Sequence, residues 1–240
     1  MPNPIVFIVA DEPAALDALT DLFEQANLHS ETFTSAETFL AQFDPERSGC
    51  LLLDISSPGM SGAELHRTLT RRQGIIPAII LTSQSDARSA MDAFKSGALN
   101  VVEKPFDSAA LLKAVKLAIE IDGANRRTLR FRAEVLHRIS QLTKREREIM
   151  HSILESKTSR EIADQLNMSA RTVEFHRARV MKKMGAVSLV ELVRMVALAF
   201  ECHCVHKHMH LQGLAQQSGI LSCHRAPVWQ PDIKFAAPKV

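Results

Sequence analysis

Cys50-Leu51-Leu52-Leu53-Asp54 sets four apolar residues in succession and then stops on a carboxylate. A run this short and this uniformly apolar suits a strand buried on both faces, the environment of a parallel sheet. Runs of the same kind lie to either side at residues 5–9, 78–81 and 99–102, with a weaker one at 31–33. Between them come segments of helical period: 14–26, where Leu16, Leu19, Leu22 and Phe23 share a stripe, then 36–43, 62–72, 86–96 and 107–121. Five strand–helix units with short connections predict an α/β domain: a five-stranded, doubly wound parallel sheet with helices on both faces. Such a sheet binds its ligands beyond the carboxyl ends of the strands.

That rule singles out the polar residues that close the runs: Asp11 and Glu12 after the first, Asp54 after the third, Thr82 after the fourth and Lys104 after the fifth. Carboxylate oxygens suit a hard cation such as Mg²⁺, a lysine pairs with phosphoryl oxygens, and a hydroxyl donates to them. The set fits phosphoryl transfer to Asp54 as a carboxylate nucleophile. Taken singly, each of these residues reads equally well as a surface polar group or a cap.

In order along the chain, Leu51-Leu52-Leu53-Asp54 with Pro58-Gly59-Met60-Ser61-Gly62, then Ile80-Leu81-Thr82-Ser83, then Glu103-Lys104-Pro105-Phe106 resemble the receiver domain of response regulators. The resemblance spans residues 4–121 and implies a flavodoxin-like fold. It also implies that Asp54 accepts a phosphoryl group from a partner sensor histidine kinase, that Asp11 and Asp54 ligate Mg²⁺, and that Thr82 and Lys104 contact the phosphoryl oxygens. A cis Lys104-Pro105 bond is expected on the same basis. Three residues depart from the family pattern. Ala10 stands where the first of two adjacent acids is usual, which would weaken the metal site; Val101 replaces the aromatic that reports phosphorylation; Ser57 replaces a common methionine.

Asp122-Gly123 reads as a break in the helical pattern, followed by an arginine-rich linker helix, so that residues 122–141 form a connector. Leu129, Ala133, Leu136 and Ile139 fall near a 3.5-residue spacing, which suits pairing between subunits or a solvated connector. Beyond it, Thr143 with Glu146 forms a capping box that opens a helix to residue 154. A second helix covers 158–166, Asn167-Met168-Ser169 makes a turn, and a third helix runs from Ser169 to a stop at Gly185. Ser188 and Glu191 repeat the box before a fourth, 189–200. Two helices joined by a three-residue turn, the second rich in arginine and lysine, have the form of a helix-turn-helix.

Leu142-Thr143-Lys144-Arg145-Glu146, Glu161-Ile162-Ala163, the run from Ser169 to His176 and Lys182-Lys183-Met184 are similar to the LuxR-type output domain, here residues 142–200. Joined to a receiver, this resembles the FixJ/NarL class of response regulators. Along the third helix Val173, Val180 and Met184 are expected in the core. Thr172, Glu174, Phe175, Arg177 and Ala178 would then lie nearer the DNA groove, and Arg179, Lys182 and Lys183 toward phosphates. The resemblance further implies a homodimer on promoter DNA through the fourth helix, where Leu192, Val193 and Val196 fit a dimer contact or a monomeric core equally well.

Charge agrees with this division. Residues 1–120 carry 9 basic and 16 acidic side chains and residues 121–200 carry 16 and 9, and a basic module suits a polyanionic partner. No apolar run approaches the roughly 20 residues of a membrane span and the first residues lack the character of a signal peptide, so a cytoplasmic protein with no membrane partner is expected. Residues 201–240 hold three of the four cysteines and five of the ten histidines. They read as a disordered tail or as ligands for Zn²⁺ or Cu⁺.

The competing classes are weaker. An aspartyl phosphatase wants a second acid two residues after its nucleophile, whereas Asp54 is followed by Ser56 and Asp11 by Pro13. No GxxxxGK[ST] loop is present for a nucleotidase. The sequence therefore predicts a transcriptional response regulator and not an enzyme; a degenerate receiver, acting without phosphorylation and controlled by metal at the tail, is the alternative.

Overall fold

The computed structural model describes residues 3–54, 64, 65, 68, 69, 76–83, 91, 95 and 97–200. The chain divides into two compact units, with the division between Thr128 and Leu129. In the first, strands β1 (Ile5–Val9), β2 (His29–Phe33), β3 (Gly49–Asp54), β4 (Ala78–Thr82) and β5 (Asn100–Glu103) form one sheet in the order β2-β1-β3-β4-β5. Every pairing is parallel. The order reverses between β1 and β3, so the switch point falls where Asp11 and Asp54 leave those two strands.

The period of two in the strands sorts the core into two layers. Phe7, Val9, Leu51, Leu53, Ala78 and Ile80 face one side, against Phe39 and Leu40 of α2 (Ala36–Gln42) and against Leu65 and Leu69. Val6, Ile8, Cys50, Leu52, Ile79 and Leu81 face the other, against Leu16, Leu19 and Phe23 of α1 (Pro13–Gln25) and Leu111, Val115 and Ala118 of α3 (Ser108–Ser140). β3 and β4 are buried at every residue, as strands covered on both faces must be. Of the helices expected at 62–72 and 86–96, Glu64, Leu65, Thr68, Leu69, Met91 and Lys95 are helical, and the other residues lie outside those described.

Asp122-Gly123 does not break the helix: α3 runs without interruption from Ser108 to Ser140. Both residues are poor helix formers, but the Asp122 side chain is fully buried and its Oδ2 accepts from Ser48 Oγ at 2.7 Å, Gly49 N at 2.9 Å and Arg126 Nε at 2.8 Å. Arg126 also donates to the Pro45 carbonyl at 2.8 Å. These bonds tie the helix to the start of β3 and outweigh its local propensity. Gly49 is needed there for close approach, because a Cβ would lie 1.8 Å from the Ile5 carbonyl oxygen.

The second unit is built from α4 (Lys144–Leu154), α5 (Ser159–Leu166), α6 (Ala170–Met184) and α7 (Leu189–Phe200), together with the end of α3. Val135 and Ile139 of α3 join Ile149, Ile153, Ile162, Val173, Val180, Met184 and Leu192 in one core. Thr143 and Glu146 make the expected capping box at α4, and Thr158 and Glu161 make another at α5. Ahead of α7 the pattern shifts: Ser188 Oγ accepts from Glu191 N at 3.2 Å, while the Glu191 carboxylate reaches back to Val187 N at 2.8 Å.

Three of these helices end alike, each with a left-handed residue followed by a bond that spans five positions. Ser156 (φ 61°) precedes Lys157 N to Ser152 O at 3.0 Å, Asn167 (φ 51°) precedes Met168 N to Ala163 O at 2.9 Å, and Gly185 (φ 67°) precedes Ala186 N to Met181 O at 3.0 Å. This termination satisfies carbonyls that a helix end leaves open. It turns the chain sharply enough to set α5 and α6 as a helix-turn-helix through Asn167-Met168-Ser169.

Candidate phosphoacceptor site and nucleic-acid interface

β3 delivers Asp54 to the carboxyl edge of the sheet, where it is only 4% exposed. A buried carboxylate needs a counter-charge and hydrogen bonds, and Lys104, which follows β5, pairs its ammonium with Asp54 Oδ2. The register explains the meeting: Asp54 stands beside Leu81 and Thr82 beside Glu103, so β3, β4 and β5 end together. Lys104 N donates to the Thr82 carbonyl at 2.8 Å, which fixes the lysine backbone beside β4. The Lys104-Pro105 bond is cis, as expected. Thr82 is also buried, and its hydroxyl donates to the Ser83 carbonyl at 3.2 Å.

Asp11 is exposed just past β1, and Glu12 is the extended residue at the N-terminus of α1, its side chain capping nothing. Ala10 is buried, with its N–H bonded to the Phe33 carbonyl at 3.1 Å. A cleft of about 190 Å³ beside the site is lined by Ala15, Ala18 and Leu22 of α1 with Lys104, Phe106 and Asp54. Among the described residues no three His, Cys, Asp or Glu side chains converge on a metal position. Asp11, just past β1, and Asp54, at the end of β3, carry carboxylate oxygens, the ligand type that suits Mg²⁺. Ser57 lies outside the described residues, and Val101 is half-buried against the α2 side of the sheet.

On α6, Val173, Val180 and Met184 are fully buried, as their spacing predicts. Opposite them Thr172, Phe175, Arg179 and Lys182, at intervals of three and four, form an exposed stripe. Ser169 opens the helix, accepting from Thr172 N at 3.1 Å. Arg177, four residues after Val173 and three before Val180, is half-buried on the core-facing side of α6, and Ala178 is exposed.

Two of the residues expected at DNA also make contacts inside the domain. Glu174 accepts a hydrogen bond from Ser159 Oγ of α5, and Lys183 Nζ lies 2.6 Å from Glu146 Oε2 and 3.1 Å from the Gln141 carbonyl. Arg179 is shared, its Nε 3.3 Å from Glu146 Oε1. Glu146 itself, 1% exposed, was legible only as a cap. Burial would raise its pKa, but hydrogen bonds from Lys183 and from the Thr143 backbone and hydroxyl outweigh this and bring the carboxyl down to about 2. Arg145 was missed as well: it bonds the Leu166 carbonyl at 2.7 Å and so closes the end of α5.

A doubly wound sheet with a lysine-paired aspartate at its switch point, followed by a helix-turn-helix, defines a receiver joined to a DNA-binding output domain. Comparison with known families agrees: residues 6–116 match the response regulator receiver domain and residues 140–196 match the luxR family of bacterial regulatory proteins. The chain belongs to the response regulators of the FixJ type, which control transcription through a receiver and a LuxR-type DNA-binding domain. It is 38% identical to the transcriptional regulatory protein FixJ of Azorhizobium caulinodans over 200 residues, covering 83% of this chain and 95% of that one. With FixJ of Rhizobium meliloti it shares 36% over 203 residues, covering 81% and 96%. The solved structure of the response regulator StyR superposes with a TM-score of 0.73 at 34% identity, covering 81% of this chain and 98% of that one. Receiver domains generally bind Mg²⁺ at the phosphorylation site and imply a histidine kinase partner. No helix among the described residues is long and apolar enough to cross a membrane.

Proposed function

We propose that this protein is phosphorylated on Asp54 by a sensor histidine kinase and that the phosphorylated form binds promoter DNA as a homodimer in the cytoplasm. The observation that carries the reading is the buried Asp54 paired with Lys104 beside Thr82, at the carboxyl edge of a parallel sheet. Residues 4–121 would act as the receiver, 122–141 as the linker and 142–200 as the DNA-binding domain.

In this reading a carboxylate oxygen of Asp54 attacks the phosphorus of the kinase phosphohistidine, and the imidazole leaves. The new acyl phosphate adds charge where Lys104 already lies, so its ammonium passes from the carboxylate to a phosphoryl oxygen. The Thr82 hydroxyl, at present bonded to the neighbouring Ser83 carbonyl, turns to donate to another. Asp11 and Asp54 would hold Mg²⁺, which neutralises charge on the transferring group. With Ala10 in place of a third carboxylate, the metal is held more weakly.

On the DNA, Thr172 and Phe175 lie toward the bases and Arg179 and Lys182 toward phosphates, while Glu174 and Lys183 brace the domain. Arg177, half-buried on the core-facing side of α6, lies away from this contact.

The test of the acceptor is intact mass after incubation with Mg²⁺ and a small-molecule phosphodonor, for the wild-type chain and for Asp54→Ala. One added phosphoryl group in the wild type alone, lost without metal, is the expected result. A chain that stays unmodified under conditions that label a control receiver would sink the proposal.

A further inference from the structure

We infer that Phe175 is a specificity-determining residue: its ring is held in advance to receive the 5-methyl group of a thymine in the major groove. This rests on the assignment of α6 as the recognition helix and goes further, by naming the base and the group on it that is read. Phe175 is 58% exposed in the middle of the outward stripe of α6, flanked by Thr172 and Arg179.

The ring is braced from two directions. The Arg179 guanidinium carbon lies 5.5 Å from its centroid, and the His176 ring meets it edge to face at 5.7 Å and 72°. Arg179 is in turn anchored on the buried Glu146, itself fixed by Lys183 and by Thr143 N at 2.8 Å. A chain of contacts therefore runs from the core of the domain to an apolar ring standing in water. An unconstrained phenylalanine would have to surrender rotamer freedom on binding, whereas one already braced loses little.

Chemistry selects the target. A phenyl ring offers no hydrogen-bond donor or acceptor to read a base edge, and the apolar feature of the major groove is the thymine methyl. Its neighbours on the stripe, Arg179 and Lys182, carry charge suited to phosphates and would seat the helix without choosing a sequence. Phe175 is the large apolar side chain on that face, and it discriminates thymine from cytosine by presence of the methyl group.

The experiment uses the full chain, treated with Mg²⁺ and phosphodonor, to enrich binding duplexes from a random-sequence pool. Each thymine of the enriched site is then replaced singly by uracil, which removes the methyl and nothing else. At one thymine per half-site the wild-type affinity should fall about fourfold, the value of one buried methyl group. The exposed Phe175→Ala variant should bind thymine and uracil duplexes alike, and Phe175→Leu should keep part of the preference. If uracil has no effect at any position, or weakens Phe175→Ala as much as the wild type, the inference is wrong while sequence-specific binding stands. If no sequence is enriched at all, the DNA-binding reading fails and this inference with it.

Discussion

Glu146 illustrates how one residue can serve two levels of structure. As the third residue of a capping box it satisfies the Thr143 N–H, and as a buried anion it holds Lys183 and Arg179 of the recognition helix. The first role could be read from Thr143 and Glu146 at the right spacing; the second depends on α6 packing against α4, a contact between residues 37 apart. For the same reason nothing in the sequence marks which lysine of the Lys182-Lys183 pair reaches Glu146. The Glu146 carboxyl lies at about 2 in the folded protein against 4.5 for an ordinary glutamate, so the unfolded chain binds the proton more readily. The stabilisation is present above pH 4.5 and disappears as pH falls toward 2. Thermal melts followed by circular dichroism should show the wild type losing its advantage over Glu146→Gln in that window, with the variant about 1–3 kcal/mol less stable near neutrality. Equal stability of the two proteins at pH 7 would contradict this account.

Elements were most legible where local chemistry decides them. Asp54 and Thr82 could be placed at strand ends because short apolar runs terminate on them, with Lys104 just beyond the fifth run, and Ser169 and Gly185 mark both ends of α6 by capping preference alone. The failure at Asp122-Gly123 has the opposite cause: three donors from the distant start of β3 and from Arg126 reward a buried carboxylate within a helix. No local pattern announces them. Ser156 adopts a left-handed conformation, φ 61°, at the end of α4, a region costly for any residue with a Cβ and open to glycine. Ser156→Gly should therefore stabilise the output unit by about 0.5–1 kcal/mol, read as an increased urea midpoint with unchanged slope. A lowered midpoint would show that the serine side chain contributes more than its backbone conformation costs.

At the scale of the molecule, two folded units, an acidic first half and a basic second half describe a receiver joined to a DNA-binding unit. α3 contributes Leu111 and Val115 to the core of the first unit and Val135 and Ile139 to the core of the second. Similar proteins align over 79–83% of the chain, and residues 201–240, with their cysteines and histidines, fall outside the described structure. Under the proposed function, chemistry at Asp54 governs DNA binding. Its most direct test is fluorescence anisotropy on an enriched duplex, with and without Mg²⁺ and phosphodonor, for the wild-type chain and Asp54→Ala. The expected result is a gain of roughly tenfold in wild-type affinity and none in the variant. An equal response of both proteins, or no response in the wild type after one phosphoryl group has been added, would contradict the claim.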